Sequence, residues 1–349
     1  MDNPPLQQSI HTSSNASSNA SSNASSNASS NASSPEADAT RHIMLVSQLP
    51  TFMMNELARD YMVHNHTHIN DPLALARTTA LIGMGSETKV DRKLLSMLPQ
   101  VKMISIFGVG YDGVDVQAAK ERGIVVTHTP DVLTDDVADL ALGLMLSIAR
   151  RIPQADRFVR NADWVTEPFA MTHKMSGARL GLVGMGRIAK GIAKRAAAFD
   201  MTLAYTSRQA KPDVPYVFYP NVQALAAQVD YLVVTVPGGE GTKHMINAEV
   251  LQALGSTGYL INIARGSVVD QTALIHALQH KTIAGAGLDV FWDEPKVDAE
   301  LRKLPNVVLT PHIGANTHET RRAMADLALA NLKAFFNHQP VLTPVPECR

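Results

Sequence analysis

The chain has 349 residues, 45% of them hydrophobic, and a formal net charge of −1. That length supports a large core and, at roughly 100–200 residues per domain, two domains; the near-neutral charge gives no reason to expect nucleic acid as a partner. A single cysteine, Cys348, excludes an internal disulfide, and no apolar run reaches the roughly 18 residues a membrane span needs.

From Ser13 to Ala32 the tetrapeptide SSNA repeats, and Ser33 and Ser34 follow. With no branched or aromatic apolar residue in the repeat, ordering it has nothing to offset its entropy, so residues 1–40 are expected to form a disordered tail. Each N-A-S triplet matches a glycosylation acceptor by pattern, yet the N-terminus lacks the charged-then-apolar order of a secretory signal. The expected compartment is the cytoplasm.

Order is expected from Arg41. The run Ile43 to Val46 reads as a buried strand, Thr51 to Val63 as a helix, and Ala80 to Ile82 as a second strand. Val90 to Leu98 follows as a helix stopped by Pro99. Met103 to Phe107 is a strand, Asp115 to Arg122 a helix closed by Gly123, and Ile124 to Thr127 a strand. Strands alternating with helices predict a parallel α/β sheet. The loop FGVGYDGVD, Phe107 to Asp115, places glycines at the C-terminal end of a strand. Such a loop either turns amides toward an anion or simply satisfies a positive-φ turn.

Thr134 to Ile152 has a dense apolar pattern, acids in its first turn and Arg150 and Arg151 in its last, which suits a helix capped by Thr134. It is a natural bridge between two units. Beyond it, LGLVGMGRIAKGIA, Leu180 to Ala193, reads strand, glycine turn, helix. Gly184, Gly186 and Ala189 stand as G-x-G-x-x-A, the spacing that lets a backbone approach a pyrophosphate at a helix N-terminus. The next strand, Met201 to Tyr205, ends in Thr206-Ser207-Arg208. About 18 residues beyond Ala189, no acid stands ready for a ribose 2′-hydroxyl. Ser207 and Arg208, with Lys211 nearby, instead suit a 2′-phosphate, which argues for NADPH over NADH; the plain alternative is that Arg208 is a solvated surface charge.

Further strands are expected at Tyr231–Val236, Tyr259–Ala264, Ile283–Val290 and Val307–Thr310, with helices at Val268–Gln279 and Thr317–Asn337. Ligands sit at the carboxyl ends of such strands. Three side chains stand there in a meaningful order. Arginine, as Arg265, suits a bidentate carboxylate anchor; histidine, as His312, suits proton transfer near neutral pH; a carboxylate, as Glu294, suits orienting that histidine. Singly each has an ordinary structural explanation, and jointly they specify reduction of a 2-keto acid. Trp292 either shapes the substrate pocket or packs. His318, Arg321 and Arg322 are expected to be surface charges, with an approach to the active site as the alternative. No metal site is expected.

The motifs FGVGYDGVD, VGMGRIAKGIA, NIARGSVVD, AGLDVFWDEP and LTPHIGANT together resemble the D-isomer-specific 2-hydroxyacid dehydrogenase family, in its glyoxylate/hydroxypyruvate reductase branch, over roughly residues 41–340. The resemblance implies two Rossmann/flavodoxin-like α/β domains with parallel sheets and an active site in the cleft between them. It implies a substrate domain of residues 41–133 plus 318–349 and a dinucleotide-binding domain of residues 134–317. By the same resemblance, Arg265 binds the substrate, His312 is the general acid, and Glu294 is its partner. The backbone amides of Val109 and Gly110 hold the substrate carboxylate. Gly184, Met185, Gly186, Arg187 and Ile188 cradle the pyrophosphate, with Ser207 and Arg208 on the 2′-phosphate. Val236, Pro237 and Thr242 flank the adenosine side, and Ile263, Ala264, Asp289 and Gly314 surround the nicotinamide. NADPH is the expected cofactor, with NADH possible, and a homodimer built on the Thr134–Ile152 helix region is the expected assembly. The TVPGG stretch, Thr235 to Gly239, departs from the cysteine-proline-leucine sequence of many relatives. Two further expectations stand beside this one: a 2-ketogluconate or aromatic 2-keto acid reductase, and a nucleotide-sensing corepressor-like binding protein.

Overall fold

The computed structural model describes residues 41–65, 70–85 and 89–348. The N-terminal repeat, and the expectation of disorder placed on it, lies outside the described residues. Within them the chain builds two all-parallel sheets.

The first sheet comprises β1 (His42–Leu45), β2 (Met62–His64), β3 (Ala80–Met84), β4 (Met103–Phe107) and β5 (Val125–Thr127), in the order β2-β1-β3-β4-β5. Its central strands are covered on both faces, so they read as continuous apolar runs: Ala80, Leu81, Ile82, Met103, Ile104 and Ile106 are fully buried. The helices between them are α1 (Thr51–Asp60), α2 (Pro72–Arg77), α3 (Arg92–Ser96) and α4 (Val116–Glu121). Helix α1 ends earlier than the sequence pattern predicts. Tyr61 turns to an extended backbone, and Met62 and Val63, which keep helical spacing, pair with β1 instead.

The second sheet comprises β6 (Arg179–Val183), β7 (Thr202–Thr206), β8 (Val217–Tyr219), β9 (Tyr231–Val234), β10 (Tyr259–Asn262), β11 (Gly285–Leu288) and β12 (Val307–Leu309), in the order β12-β11-β10-β9-β6-β7-β8. The order reverses at β6, whose neighbours are β7 and β9. That reversal is the switch point where doubly wound sheets open a crevice.

Helix α5 (Thr134–Arg150) packs on β10 and β11 and against α7 (Arg187–Ala197), the helix that follows the glycine turn. Glycines in β11 let it come close: a Cβ on Gly287 would stand 3.0 Å from the Leu144 Cβ. Arg195 of α7 pairs with Asp135, at 3.0 Å, and with Asp139 of α5. Two boundaries differ from expectation. The residue flanking α5 is Leu133, with no side-chain cap, and Thr134 is the first helical residue. At the other end Arg151 takes a left-handed conformation (φ 51°), and Ile152 opens a separate helix, α6 (Ile152–Arg160), with Pro153 in its first turn.

The helix expected over Val268–Gln279 also starts later. Residues Gly266–Val268 form a 3₁₀ turn, and the α-helix runs Gln271–Gln279, because the Asp270 side chain accepts from the Ala273 N–H and fixes the start there. The long final helix, His318–Phe336, is capped by Thr317 and packs back on β4. Buried Asn331 on this helix accepts from the N–H groups of Leu342 and Thr343 and donates to the Thr343 hydroxyl. The segment after the helix then pairs antiparallel with β5 at Thr127 and Pro344. The chain therefore returns to its first sheet after completing its second.

Candidate active site

A cleft of about 1120 Å³ lies where the carboxyl ends of the two sheets meet. From the first sheet it is lined by the loop after β4, including Val109, Gly110, Tyr111 and Asp112. From the second it is lined by Gly186, Arg187, Ile188, Val236, Pro237, Ile263, Ala264, Arg265, Asp289, Glu294, His312 and Gly314. Most of the residues named from the sequence thus converge on one space.

The glycine turn is built for an anion. Gly184 adopts φ 97°, and a Cβ there would meet the Thr235 hydroxyl at 2.9 Å, so only glycine fits. Gly186 flanks the start of the eleven-residue helix α7, no side chain caps its first amides, and Gly186, Arg187 and Ile188 face the cleft. Uncapped N–H groups with the positive end of the helix dipole behind them suit a pyrophosphate. The residues present fit a dinucleotide.

The His312–Glu294 pair lies beyond the carboxyl ends of β11 and β12. The His312 Nδ1 stands 2.6 Å from the Glu294 Oε2, and the other Glu294 oxygen accepts from the Phe291 N–H at 2.8 Å. Burial opposes ionisation of Glu294, but the His312 hydrogen bond and charge, the Phe291 amide and the more distant charge of Arg265 outweigh it. The carboxyl is held below the usual glutamate range. His312 itself sits at φ 53°, an uncommon backbone for a non-glycine residue. Asp289 holds that turn. Its carbonyl accepts from the His312 N–H at 2.9 Å. Its carboxylate accepts from the Thr310 hydroxyl at 2.6 Å, the Ile313 N–H at 2.8 Å and the Gly314 N–H at 2.9 Å. Asp289 is almost wholly buried, and burial pushes its carboxyl above the ordinary aspartate value despite those donors.

Arg265 follows β10 on extended backbone. Its Nε donates to Asp112 at 3.0 Å and its Nη1 to the Ala264 carbonyl at 2.7 Å. The guanidinium lies directly against Gly110: a Cβ there would stand 1.6 Å from Nη2.

Five of the residues expected to bind the cofactor do not line the cleft. Gly184 and buried Met185 form the turn beneath it. The Thr242 hydroxyl donates to the Pro237 carbonyl at 2.7 Å and so shapes the turn before it. Ser207, whose hydroxyl donates to the Gln209 carbonyl, and exposed Arg208 stand at the end of β7, beside the glycine turn rather than within the cleft. Trp292 lies outside the lining too, packed against His244 and beneath Lys243. Of the three residues at the start of the last helix, Arg321 reaches the cleft and lies 5.4 Å over the Phe107 ring, against expectation. Arg322 pairs with Glu56 and Asp326 on the surface.

Sequence reading did not single out Asp112, Asp131 or Glu347. Asp131, at φ 72°, pairs with Arg187 at 2.5 Å. Glu347 accepts from the Tyr111 hydroxyl at 3.2 Å and lines the cleft. Asp112 lay inside a motif already noted, two residues past Gly110, and that proximity was the available signal. The other two partners come from chain segments whose meeting depends on the assembled fold. Among the described residues no cluster of three or more acidic, histidine or cysteine side chains could hold a metal ion.

A helix N-terminus open to a cleft, facing an arginine and a carboxylate-held histidine, defines a dinucleotide-dependent oxidoreductase. The family model for the D-isomer specific 2-hydroxyacid dehydrogenase NAD binding domain matches residues 142–314. A glyoxylate/hydroxypyruvate reductase A from Arabidopsis thaliana is 45% identical over 308 residues, covering 87% of this chain and 98% of that protein. A hydroxyphenylpyruvate reductase from Plectranthus scutellarioides is 44% identical over 308 residues, with the same shares. The crystal structure of an NADPH-dependent glyoxylate/hydroxypyruvate reductase from Sinorhizobium meliloti, in complex with NADP and malonate, superposes with a TM-score of 0.84 at 41% identity. It covers 88% of this chain and 98% of that one. The chain belongs to the D-isomer specific 2-hydroxyacid dehydrogenases.

Proposed function

We propose that the chain is an NADPH-dependent reductase of small 2-keto acids, glyoxylate and hydroxypyruvate foremost, yielding D-2-hydroxy acids. The observation that carries this is the His312–Glu294 pair standing across one cleft from Arg265 and the open helix N-terminus. One relative named a glyoxylate/hydroxypyruvate reductase supports the substrate class, and one solved neighbour named an NADPH-dependent enzyme of that kind supports the substrate class and the cofactor.

In this reading the α7 amides, with Gly184 to Ile188, hold the pyrophosphate. Ser207 and Arg208 take the 2′-phosphate, Val236, Pro237 and Thr242 border the adenosine, and Ile263, Ala264, Asp289 and Gly314 frame the nicotinamide. When bound, the reduced nicotinamide supplies the hydride to the keto carbon. Arg265 and the Val109 and Gly110 amides hold the substrate carboxylate, fixing the face of the carbonyl that is presented. His312 donates its proton to the carbonyl oxygen, and ionised Glu294 orients the ring. The Asp289 clamp keeps the His312 backbone in place. Closure of the two domains over the bound molecules excludes water from the transfer.

We divide the chain into a substrate domain of residues 41–133 plus 318–349 and a dinucleotide domain of residues 134–317, since α5 packs on the second sheet and the last helix on the first. We assign a homodimer built around α6 and the segment after it, where Val159, Trp164, Val165 and Met171 are apolar and exposed, Met171 almost completely. Sedimentation equilibrium at twice the protomer mass is the expected result. Among the described residues no helix is long and apolar enough to cross a membrane, and a cytoplasmic location is part of the reading.

The test is NADPH and NADH consumption with glyoxylate, hydroxypyruvate, pyruvate, 2-ketogluconate and hydroxyphenylpyruvate, for the protein and for His312→Gln. Highest kcat/KM with glyoxylate or hydroxypyruvate, abolished in the variant while NADPH still binds, supports the proposal. Preference for hydroxyphenylpyruvate favours the second reading, an aromatic reductase, to which a 44% identical relative points. No turnover with any substrate favours a nucleotide-sensing binding protein.

A further inference from the structure

Arg265 is clamped by groups of the protein itself. Its Nε donates to both Asp112 oxygens, at 3.0 and 3.3 Å, and its Nη1 to the Ala264 carbonyl at 2.7 Å. Two bonds from different nitrogens fix the plane of the guanidinium as well as its position. Both side chains are largely sheltered, 22% and 29% exposed, so water competes weakly for the pair. The partner comes from the other sheet: Asp112 belongs to the loop after β4, Arg265 to the end of β10. Glycines on both sides make room for the bridge. A Cβ on Gly110 would stand 1.6 Å from Nη2 and 3.0 Å from the Asp112 Oδ1. A Cβ on Gly238 would stand 3.0 Å from the Arg265 Cγ and 3.4 Å from the Asp112 Oδ2. The clamp turns Nη2 toward Gly110, whose amide shares the proposed carboxylate.

We propose that Asp112 is a positioning residue for substrate recognition. It holds the Arg265 guanidinium in the orientation that receives the substrate carboxylate, and it does so only when the two sheets are together. Closure of the cleft and assembly of the carboxylate anchor are therefore one event. An unpaired arginine samples many rotamers, and each substrate would have to order it anew. The inference rests on the reading that Arg265 binds the substrate carboxylate.

Four forms of the full-length protein test it: Asp112→Ala, Asp112→Asn, Arg265→Ala and the double alanine variant. The readouts are steady-state kinetics with glyoxylate and inhibition by oxamate, an unreactive carboxylate. Loss of one charge-assisted bond predicts that Asp112→Ala raises the glyoxylate KM and oxamate Ki about ten- to a hundredfold. The NADPH KM and the melting temperature are expected to stay unchanged. Asp112→Asn keeps an acceptor for the Arg265 Nε and is expected to recover most of the loss. In the Arg265→Ala background Asp112→Ala is expected to add nothing, because the group it positions is gone. Normal oxamate inhibition in Asp112→Ala, with weakened inhibition in Arg265→Ala, overturns the inference alone. A full Asp112→Ala effect in the Arg265→Ala background overturns it as well. Unchanged oxamate inhibition in Arg265→Ala overturns the carboxylate reading and this inference with it.

Discussion

Gly110→Ala is the sharpest test of the site as built. Gly110 does not occupy the left-handed region, so alanine meets no backbone strain there. What it meets is Arg265: the new methyl would stand 1.6 Å from Nη2, 2.8 Å from Cζ and 3.0 Å from the Asp112 Oδ1. Restoring van der Waals contact requires the guanidinium nitrogen to retreat by about 2 Å. A flexible side-chain end can make that move, so the fold survives and the geometry does not. A displacement of about 1 Å in a positioning group costs on the order of 10²-fold in rate, or about 2.7 kcal/mol of transition-state stabilisation. Gly110→Ala is therefore expected to lower kcat/KM for glyoxylate about a hundredfold, with NADPH affinity and melting temperature unchanged. The assay is NADPH oxidation at saturating cofactor, paired with a thermal melt and direct NADPH titration. Activity within about threefold of the parent would show that Arg265 does not need its observed position. A parallel fall in melting temperature would show that the glycine serves the fold instead.

Three further outcomes are expected. Arg208→Ala should raise the NADPH KM about tenfold and leave that for NADH within twofold, since only the former carries the 2′-phosphate; equal effects on both would remove Arg208 from that role. Asp289→Asn should cost about 1–3 kcal/mol in denaturant unfolding, because an amide group faces an N–H or O–H donor where the carboxylate accepted three. Its turnover should fall as well, through the backbone of His312, and a stable, fully active variant contradicts the clamp. Glu294 is held below the usual glutamate range, so the stability its pairing confers is present above the unfolded value of about 4.3 and is lost as pH falls through the folded one. The melting-temperature gap between the parent and Glu294→Gln should accordingly narrow below about pH 4.3, and a gap that widens in acid refutes the sign.

Much of the fold was legible because its signals are local. The central strands are apolar runs of strand length, and the turn from Gly184 to Gly186 needs glycine for reasons visible in the sequence itself. One edge strand of each sheet was not legible. Met62–His64 continues the helical spacing of the residues before it, and only pairing with β1 overrides that pattern. Val217–Tyr219 is three residues long at the outer edge of the second sheet, flanked by Pro215 and Pro220, and carries too few residues to show an alternation. Helix starts misread from the sequence share one cause: a side-chain cap depends on which residue turns. Asp270 takes the cap and shortens its helix, whereas Thr134 enters the helix and caps nothing. At the site, residue types in order revealed Arg265, Glu294 and His312. Asp112 as the partner of Arg265 was not legible, since an ion pair across 153 positions exists only once two sheets meet.

The return of the final helix to β4 means that neither sheet owns the cleft. Two bodies that share part of their buried core also share one pocket, and each contributes only some of the groups that a ligand would touch. Such a pocket makes its occupant an adhesive. A ligand that bridges both bodies favours the docked arrangement over the parted one by RT ln(1 + [L]/Kd), about 2.7 kcal/mol at a hundred times Kd. Resistance to proteolysis in the segments joining the sheets, near residues 128–134 and 311–317, thereby becomes a gauge of cofactor and substrate supply. Such a protein would be degraded fastest when it has nothing to reduce.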